Sequence, residues 1–306
     1  MPFGGTVGRP QHRGIVVLRV HFTAEDLNRT RIAEGADPLW ETVLSLHRLR
    51  ESRTEPALAA WRRHAARHGP GPLRLLLPLV PPRGYFPDFL TPMASSAGVE
   101  PGLEAVMTTP RHRLRTEIGL LAGQAHRPGH GQHAAPPSWM RSLADGEPAA
   151  LRALARSLRT YHHTALGPGW PLIGQRVEAD RTLRLHALRQ DGTEAMLRTF
   201  GPGMRWRRPV LEVTYPRDGD LRLEGRGLLL VPSYFCTNPV TFVDTELPPV
   251  LVYPAAPPAE AAPERVAGAA VRTGAGHAEG LRLRTYGSGA LRGFQTRFGS
   301  LTGTRF

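Results

Sequence analysis

Residues 210–231, VLEVTYPRDGDLRLEGRGLLLV, decide the fold class. They hold three short apolar runs, 210–215, 221–224 and 228–231, separated by Pro, Asp and Gly, which is the punctuation of strands rather than of a helix. Arg217-Asp218-Gly219-Asp220 reads as a hairpin turn, and the runs at 240–243 and 250–253 continue the meander. Upstream of residue 200 the apolar spacing is mostly helical. The expected architecture is therefore α+β, a mostly helical N-terminal part followed by a small antiparallel sheet. One strand-like run stands apart, IVVLRVHF at 15–22, and is expected to join that sheet.

The helices are marked by their ends. Thr23 reads as an N-cap with Asp26 in the capping-box position, opening a helix through Asn28 and Arg31 to near Gly35. Asp37-Pro38 opens the next one, cap followed by first-turn proline. Its Leu39, Val43 and Leu46 lie beside Trp40, Leu44 and His47, a face wide enough to put this helix at the centre of a core. A helix over 56–68 shows Leu58 and Trp61 on one side and Arg62, Arg63, His64, Arg67 and His68 on the other, a solvated face or a phosphate contact. The clearest period is Leu151, Leu154, Leu158, Tyr161, Ala165, within 148–166. Helices over about 171–189 and 193–200 are divided by Asp191-Gly192.

Composition bounds the function. The net charge is +13, and all 39 basic residues are Arg, which fits both a nucleic-acid footprint and the codon bias of a G/C-rich genome. The single cysteine, Cys236, excludes an internal disulfide and a Cys-based zinc motif, and its apolar setting reads as a buried thiol. No apolar run reaches the roughly 18 residues of a membrane span, and no signal-peptide core opens the chain, so it reads as cytoplasmic. His126, His130 and His133 sit in a Gly/Pro-rich loop that is poor scaffolding for a metal, with or without His162 and His163. No hydrolase elbow, zinc-protease, P-loop or dinucleotide motif occurs, and Ser233 has no activating neighbour in sequence. The chain reads as a protein without catalytic residues, metal or cofactor.

The segment 81–92, PPRGYFPDFLTP, is too proline-rich for a helix and too aromatic for a solvated linker. Arg83, Tyr85, Asp88 and Phe89 are its ligand-site candidates; a Pro-braced loop with an internal Arg–Asp pair is the alternative. Trp206, among Arg205, Arg207 and Arg208, is either a base-stacking residue or a sheet anchor.

Taken together, LRVHFTAEDLNRTRIAEGADPLWETVLSLHRLR (18–50), PPRGYFPDFLTP (81–92) and GRGLLLVPSYFCTNPVTF…LPPVLVYP (225–254) resemble a group of ArsR-like winged-helix transcriptional regulators of high-G/C bacteria. The resemblance covers residues 16–254. It implies a regulator, a repressor in its intact form, whose N-terminal sensor and dimerisation domain spans 15–254. The implied partners are operator DNA in intact relatives, a homodimer partner and an unknown effector; this chain as written is expected to bind DNA weakly through its Arg-rich surface or not at all, without sequence specificity. The alternative is a stand-alone module that binds a ligand or partner without DNA. Residues 1–14 read as a disordered extension, and 255–306 as a disordered tail where the family carries its winged helix. The family's DNA-reading residues match no position in that tail. Back-translated with G/C-rich codons and read one base later, 266–276 can give SLARLFGRARA and 289–298 ARSAASKHAS. These have the character of an opening helix and a recognition helix, so a frameshift is the preferred explanation of the tail.

Overall fold

The structure, a computed structural model, describes residues 16–51, 56–68, 70–125, 137–201 and 203–256. The expectations for 1–14, for the tail from 257 onward and for His126, His130 and His133 lie outside these residues.

The architecture is α+β, as expected. Strand β1 (Val17–His21) leads through the Thr23 cap into α1 (Ala24–Arg29), where both arms of the capping box are made. The helix does not run on toward Gly35. The Thr30 hydroxyl bonds back to the Asp26 carbonyl, and the amides of Arg31 and Ala33 pair with the carbonyls of Leu228 and Leu230. Sheet pairing takes these residues from the helix and makes β2 (Arg31–Ile32). Asp37 then caps α2 (Pro38–Arg50), accepting the amides of Leu39 and Trp40 at 3.0 Å each. This helix is buried on nearly every side, and its polar residues find internal partners. Thr42 bonds to the Pro38 carbonyl, and Ser45 meets the Tyr161 hydroxyl at 3.0 Å.

Against α2 pack α3 (Pro56–His68), α5 (Val99–Met107) and α8 (Pro148–Tyr161); α4 (Pro70–Leu79) and α5 lie on α8, and α7 (Ser138–Ala144) joins α8 to α6 (Arg111–Ala125). A π-helical turn, His162–Leu166, links α8 toward α9 (Trp170–Arg198), whose helical backbone breaks at Asp191 and Gly192, the latter at φ +78°. The basic side of α3 is partly used internally: Arg62 donates to the Leu49 carbonyl, and the His64 ring meets the Thr164 carbonyl.

The strands form two sheets. β3 (Met204–Arg207), β4 (Val210–Thr214) and β5 (Gly219–Arg222) build a four-stranded mixed sheet with β1, ordered β3-β4-β1-β5. β6 (Leu229–Ser233) and β7 (Val250–Pro254) join β2 in a parallel sheet ordered β2-β6-β7. The antiparallel meander is therefore corrected. The turn at 217–220 is not a hairpin, because β1 lies between β4 and β5, antiparallel to one and parallel to the other. Asp218 instead caps the start of β1 by accepting the Val17 amide. Trp206 faces inward, edge-on to Phe22 at 5.2 Å, and donates to Glu194, so it anchors the sheet rather than offering a ring to a base.

Two apolar cores result. The helical one includes Val231, Phe235, Val250 and Val252, whereas the sheet-side one includes Leu228, Leu230, Leu251 and Tyr253. The β6–β7 layer thus has both faces buried, the usual state of parallel strands, and joins the two cores. Gly227 makes the approach possible: at φ +72°, a Cβ there would sit 2.6–2.7 Å from Arg29 atoms, two of them backbone.

Candidate functional site

The segments 18–50, 81–92 and 225–254 meet in space where α2, the 81–92 loop and the parallel sheet join. Carboxylates from the first two hold backbone amides of the third. Asp26 accepts the Gly227 amide at 2.9 Å. Glu41, wholly buried on α2, accepts the Tyr234 amide at 2.7 Å, the Ser233 hydroxyl at 3.0 Å and the Phe235 amide at 3.1 Å. Asp88 accepts the amides of Val243 and Asp244, each at 3.0 Å. Aromatic contacts follow the same seam, with the Trp40 ring 6.1 Å from Phe86 and 5.5 Å from Phe242.

The electrostatics are set by burial. Loss of solvent lifts the Glu41 carboxyl to about 7, against the pull of its three donors. The same cause lifts Asp88 to about 7, with the Glu117 charge adding to it, and Asp37 to about 6. Burial also raises Glu117, which accepts the Phe89 amide and pairs with Arg113. Asp26 goes the other way: burial pushes it up, but the amides of Thr23 and Gly227 and the Thr23 hydroxyl outweigh that and hold it below the usual range. On the far side of α2, His162 meets the Thr42 hydroxyl at 3.2 Å; burial, then its neighbour His163, holds it down to about 4, so it is neutral.

Of the ligand-site candidates, Tyr85, Asp88 and Phe89 come together here, and Arg83 does not join them. The Arg83 side chain is exposed, and its carbonyl accepts from Gln124, which also takes the Tyr85 amide at 2.6 Å. The internal Arg–Asp pair is replaced by Asp88 bound to loop amides. Phe89 is fully buried in the helical core and serves as an anchor. The Tyr85 hydroxyl is shielded and falls short of a well-formed hydrogen bond; burial, then the charges of Asp88 and Glu117, push it up, against the nearby Asp88 backbone amide. Sequence reasoning missed Glu41 because an acid in the first turn of a helix reads as a dipole partner. The signal present was its place between Trp40 and Val43 on a helix whose faces are otherwise apolar.

A second buried cluster fastens the end of the described fold. Asp180 and Arg184 pair at 2.8 Å, and Asp180 also accepts the Tyr253 hydroxyl and the Ala256 amide. The Arg184 guanidinium lies 4.5 Å from the Phe200 ring centre.

Ser233 gives its proton to Glu41 and accepts the Cys236 amide, so its hydroxyl is engaged at both ends. Burial pushes the Cys236 thiol well up, which leaves it inert. Among the described residues no three His, Cys, Asp or Glu converge as metal ligands, and no helix is long and apolar enough to cross a membrane. The cavity under residues 241–249, lined by Thr241, Phe242 and Asp244 among others, has a volume of about 10 Å³. That is room for about one water, whereas small-ligand sites run to hundreds of Å³. An open hollow of about 590 Å³ lies along α9, lined by Thr182, Leu185, His186, Arg189 and Gln190, and none of the ligand-site candidates lines either space.

No protein-family model, curated protein or solved structure matches the chain.

Proposed function

We propose that residues 15–254 are the regulatory domain of a bacterial transcriptional regulator of the ArsR-like winged-helix kind. It acts by binding rather than by catalysis, and in intact relatives as a homodimer on operator DNA. The observation that carries this reading is that the segments 18–50, 81–92 and 225–254 interlock: Trp40 lies against Phe86 and Phe242, and Asp26, Glu41 and Asp88 hold amides at separate points along the third segment. Segments that resemble one family in order along the chain also interlock, as the working part of a single domain would. The Tyr85 hydroxyl and the Asp88 carboxyl are the groups through which an effector would act. Asp88 holds the amides of Val243 and Asp244, so an effector that takes its carboxyl releases that loop, and the released and docked states then form the pair a regulator needs.

The stand-alone binding module is the second reading. The hold of Asp180 on Ala256 and Tyr253 favours it, because contacts within the described residues fasten the strand Val250–Pro254.

Sequencing the coding DNA from the codon for Pro254 onward separates the two. The regulator reading expects a winged helix in the frame one base later, with an apolar helix near codons 266–276 and a recognition helix near 289–298. Absence of such a frame would overturn it and leave the stand-alone module.

A further inference from the structure

The four-stranded sheet has one face in the core and one in solvent. Leu18, Val20, Met204, Trp206, Leu211 and Val213 point inward. The register sets the outer face in rows across the strands: Arg205, Glu212, Arg19 and Asp220 in one, and Arg207, Val210, His21 and Arg222 in the next. Residues opposed on neighbouring strands share a face, so these side chains stand together. The two acids are engaged, Glu212 by Arg207 at 3.5 Å and Asp220 by His21 at 2.6 Å. Arg19, Arg205 and Arg222 are exposed; none is in salt-bridge contact with an acid among the described residues, and Asp220, already bound by His21, is the acid whose field Arg19 and Arg222 share. Strands lie about 4.8 Å apart, so these three arginines span roughly 14 Å of an open surface. That is comparable with the width of a DNA groove, about 6 to 12 Å.

We propose that this sheet face binds the phosphate backbone of duplex DNA without reading its sequence. Charge complementarity selects a polyanion, and the side chains on the face select the kind. The nearby rings, Phe22 and Trp206, are turned into the core, so the face has no platform for stacking unpaired bases. Val17 and Val210 are its only apolar side chains among the described residues, too few for insertion into a lipid surface. Such binding goes beyond the regulatory-domain reading. It is a property of the sheet and stands whether or not a winged-helix frame is found.

The test uses the full chain and a labelled duplex of about 20 bp of arbitrary sequence, with affinity followed by fluorescence anisotropy from roughly 50 to 200 mM salt. The variant combines Arg19→Ser, Arg205→Ser and Arg222→Ser. A charge-matched variant, Arg63→Ser with Arg152→Ser and Arg156→Ser, removes exposed arginines from α3 and α8 and controls for net charge and for the Arg-rich tail. The sheet variant is expected to flatten the slope of log affinity against log salt by about 2.7, three lost phosphate contacts, and to weaken binding on the order of tenfold or more at low salt. The charge-matched variant is expected to keep most of the wild-type slope. Urea midpoints should match among all three proteins, since every substituted side chain is exposed. A sheet variant with the wild-type slope, equal losses in both variants, or tighter binding to a single strand of the same length would each overturn the proposal.

Discussion

Glu41→Ala is expected to destabilise the fold by about 3–5 kcal/mol, since each buried donor left unpaired costs about 1–3 kcal/mol and a cavity adds to that. The Tyr234 and Phe235 amides and the Ser233 hydroxyl would lose their acceptor together, with Ser233 and Phe235 buried and Tyr234 half-buried. One term opposes this. The wild-type protein bears the cost of desolvating a carboxyl whose proton is held to about 7, and alanine removes that cost. At pH 6 and below the wild-type group is mostly neutral, so the relief is small and the full loss should appear. Glu41→Gln keeps the shape and one acceptor oxygen and should lose about 1–2 kcal/mol at the same pH. Urea unfolding of the three proteins near pH 6 measures both. Equal stability of wild type and Glu41→Ala would show that the clamp holds nothing.

The second large effect is on pH. Stability is expected to fall by roughly 3 kcal/mol as pH rises from about 5 to about 8. Glu41 and Asp88, lifted to about 7, and Asp37, lifted to about 6, all by burial, bind protons in the folded chain that the unfolded chain has already released. Their contribution is complete below the ordinary carboxylate value and is lost as pH climbs through 6 and 7. Together it is worth roughly 6 kcal/mol across that window. His162, held down to about 4, works against them: the unfolded chain takes up a proton near 6.5 that the folded chain refuses. Its contribution is present above that value and lost on acidification, at roughly 2 kcal/mol by pH 5. His47, lowered by burial in the same sense, adds to the opposition. The carboxyls outweigh the histidines. Asp145 and Asp220, held below the usual range by their Arg and His partners, titrate under this window and do not alter its sign. Urea midpoints at about pH 5.5, 6.5 and 7.5 give the slope. Glu41→Gln should remove a good part of it, and a stability that rises with pH over the same range would contradict the assignment of these buried protons.

Local chemistry made the helical half legible. The Thr23–Asp26 capping box, the Asp37-Pro38 start and the Asp191-Gly192 break all depend on residues within a few positions of one another, and the structure has all three. The sheet order did not follow from local pattern. Residues 228–231 and 250–253 are continuously apolar because β6 and β7 are buried on both faces, which marks parallel strands, but apolar runs between turns also suit a meander. β2 has only two residues and takes its shape from its partner β6, so no period within it could announce it. The site was half visible. Tyr85 and Asp88 stood out as polar groups in an apolar, proline-braced loop. Their partners, the amides of Val243 and Asp244, are main-chain groups far along the chain and leave no trace in residue type.

In the proposed regulatory reading an effector works through the contacts that tie α2 and the 81–92 loop to the segment 225–254, so those contacts have to be part of one cooperative unit. Hydrogen exchange of the Gly227, Tyr234, Phe235, Val243 and Asp244 amides, read residue by residue under native conditions, measures this most directly. These lie in turns and loops, where amides without a partner exchange freely. Held by Asp26, Glu41 and Asp88, they are expected to be protected nearly as strongly as the amides of α8, with the protection of Tyr234 and Phe235 lost in Glu41→Ala. Exchange of all five at the rate of open loop amides, while α8 stays protected, would contradict it.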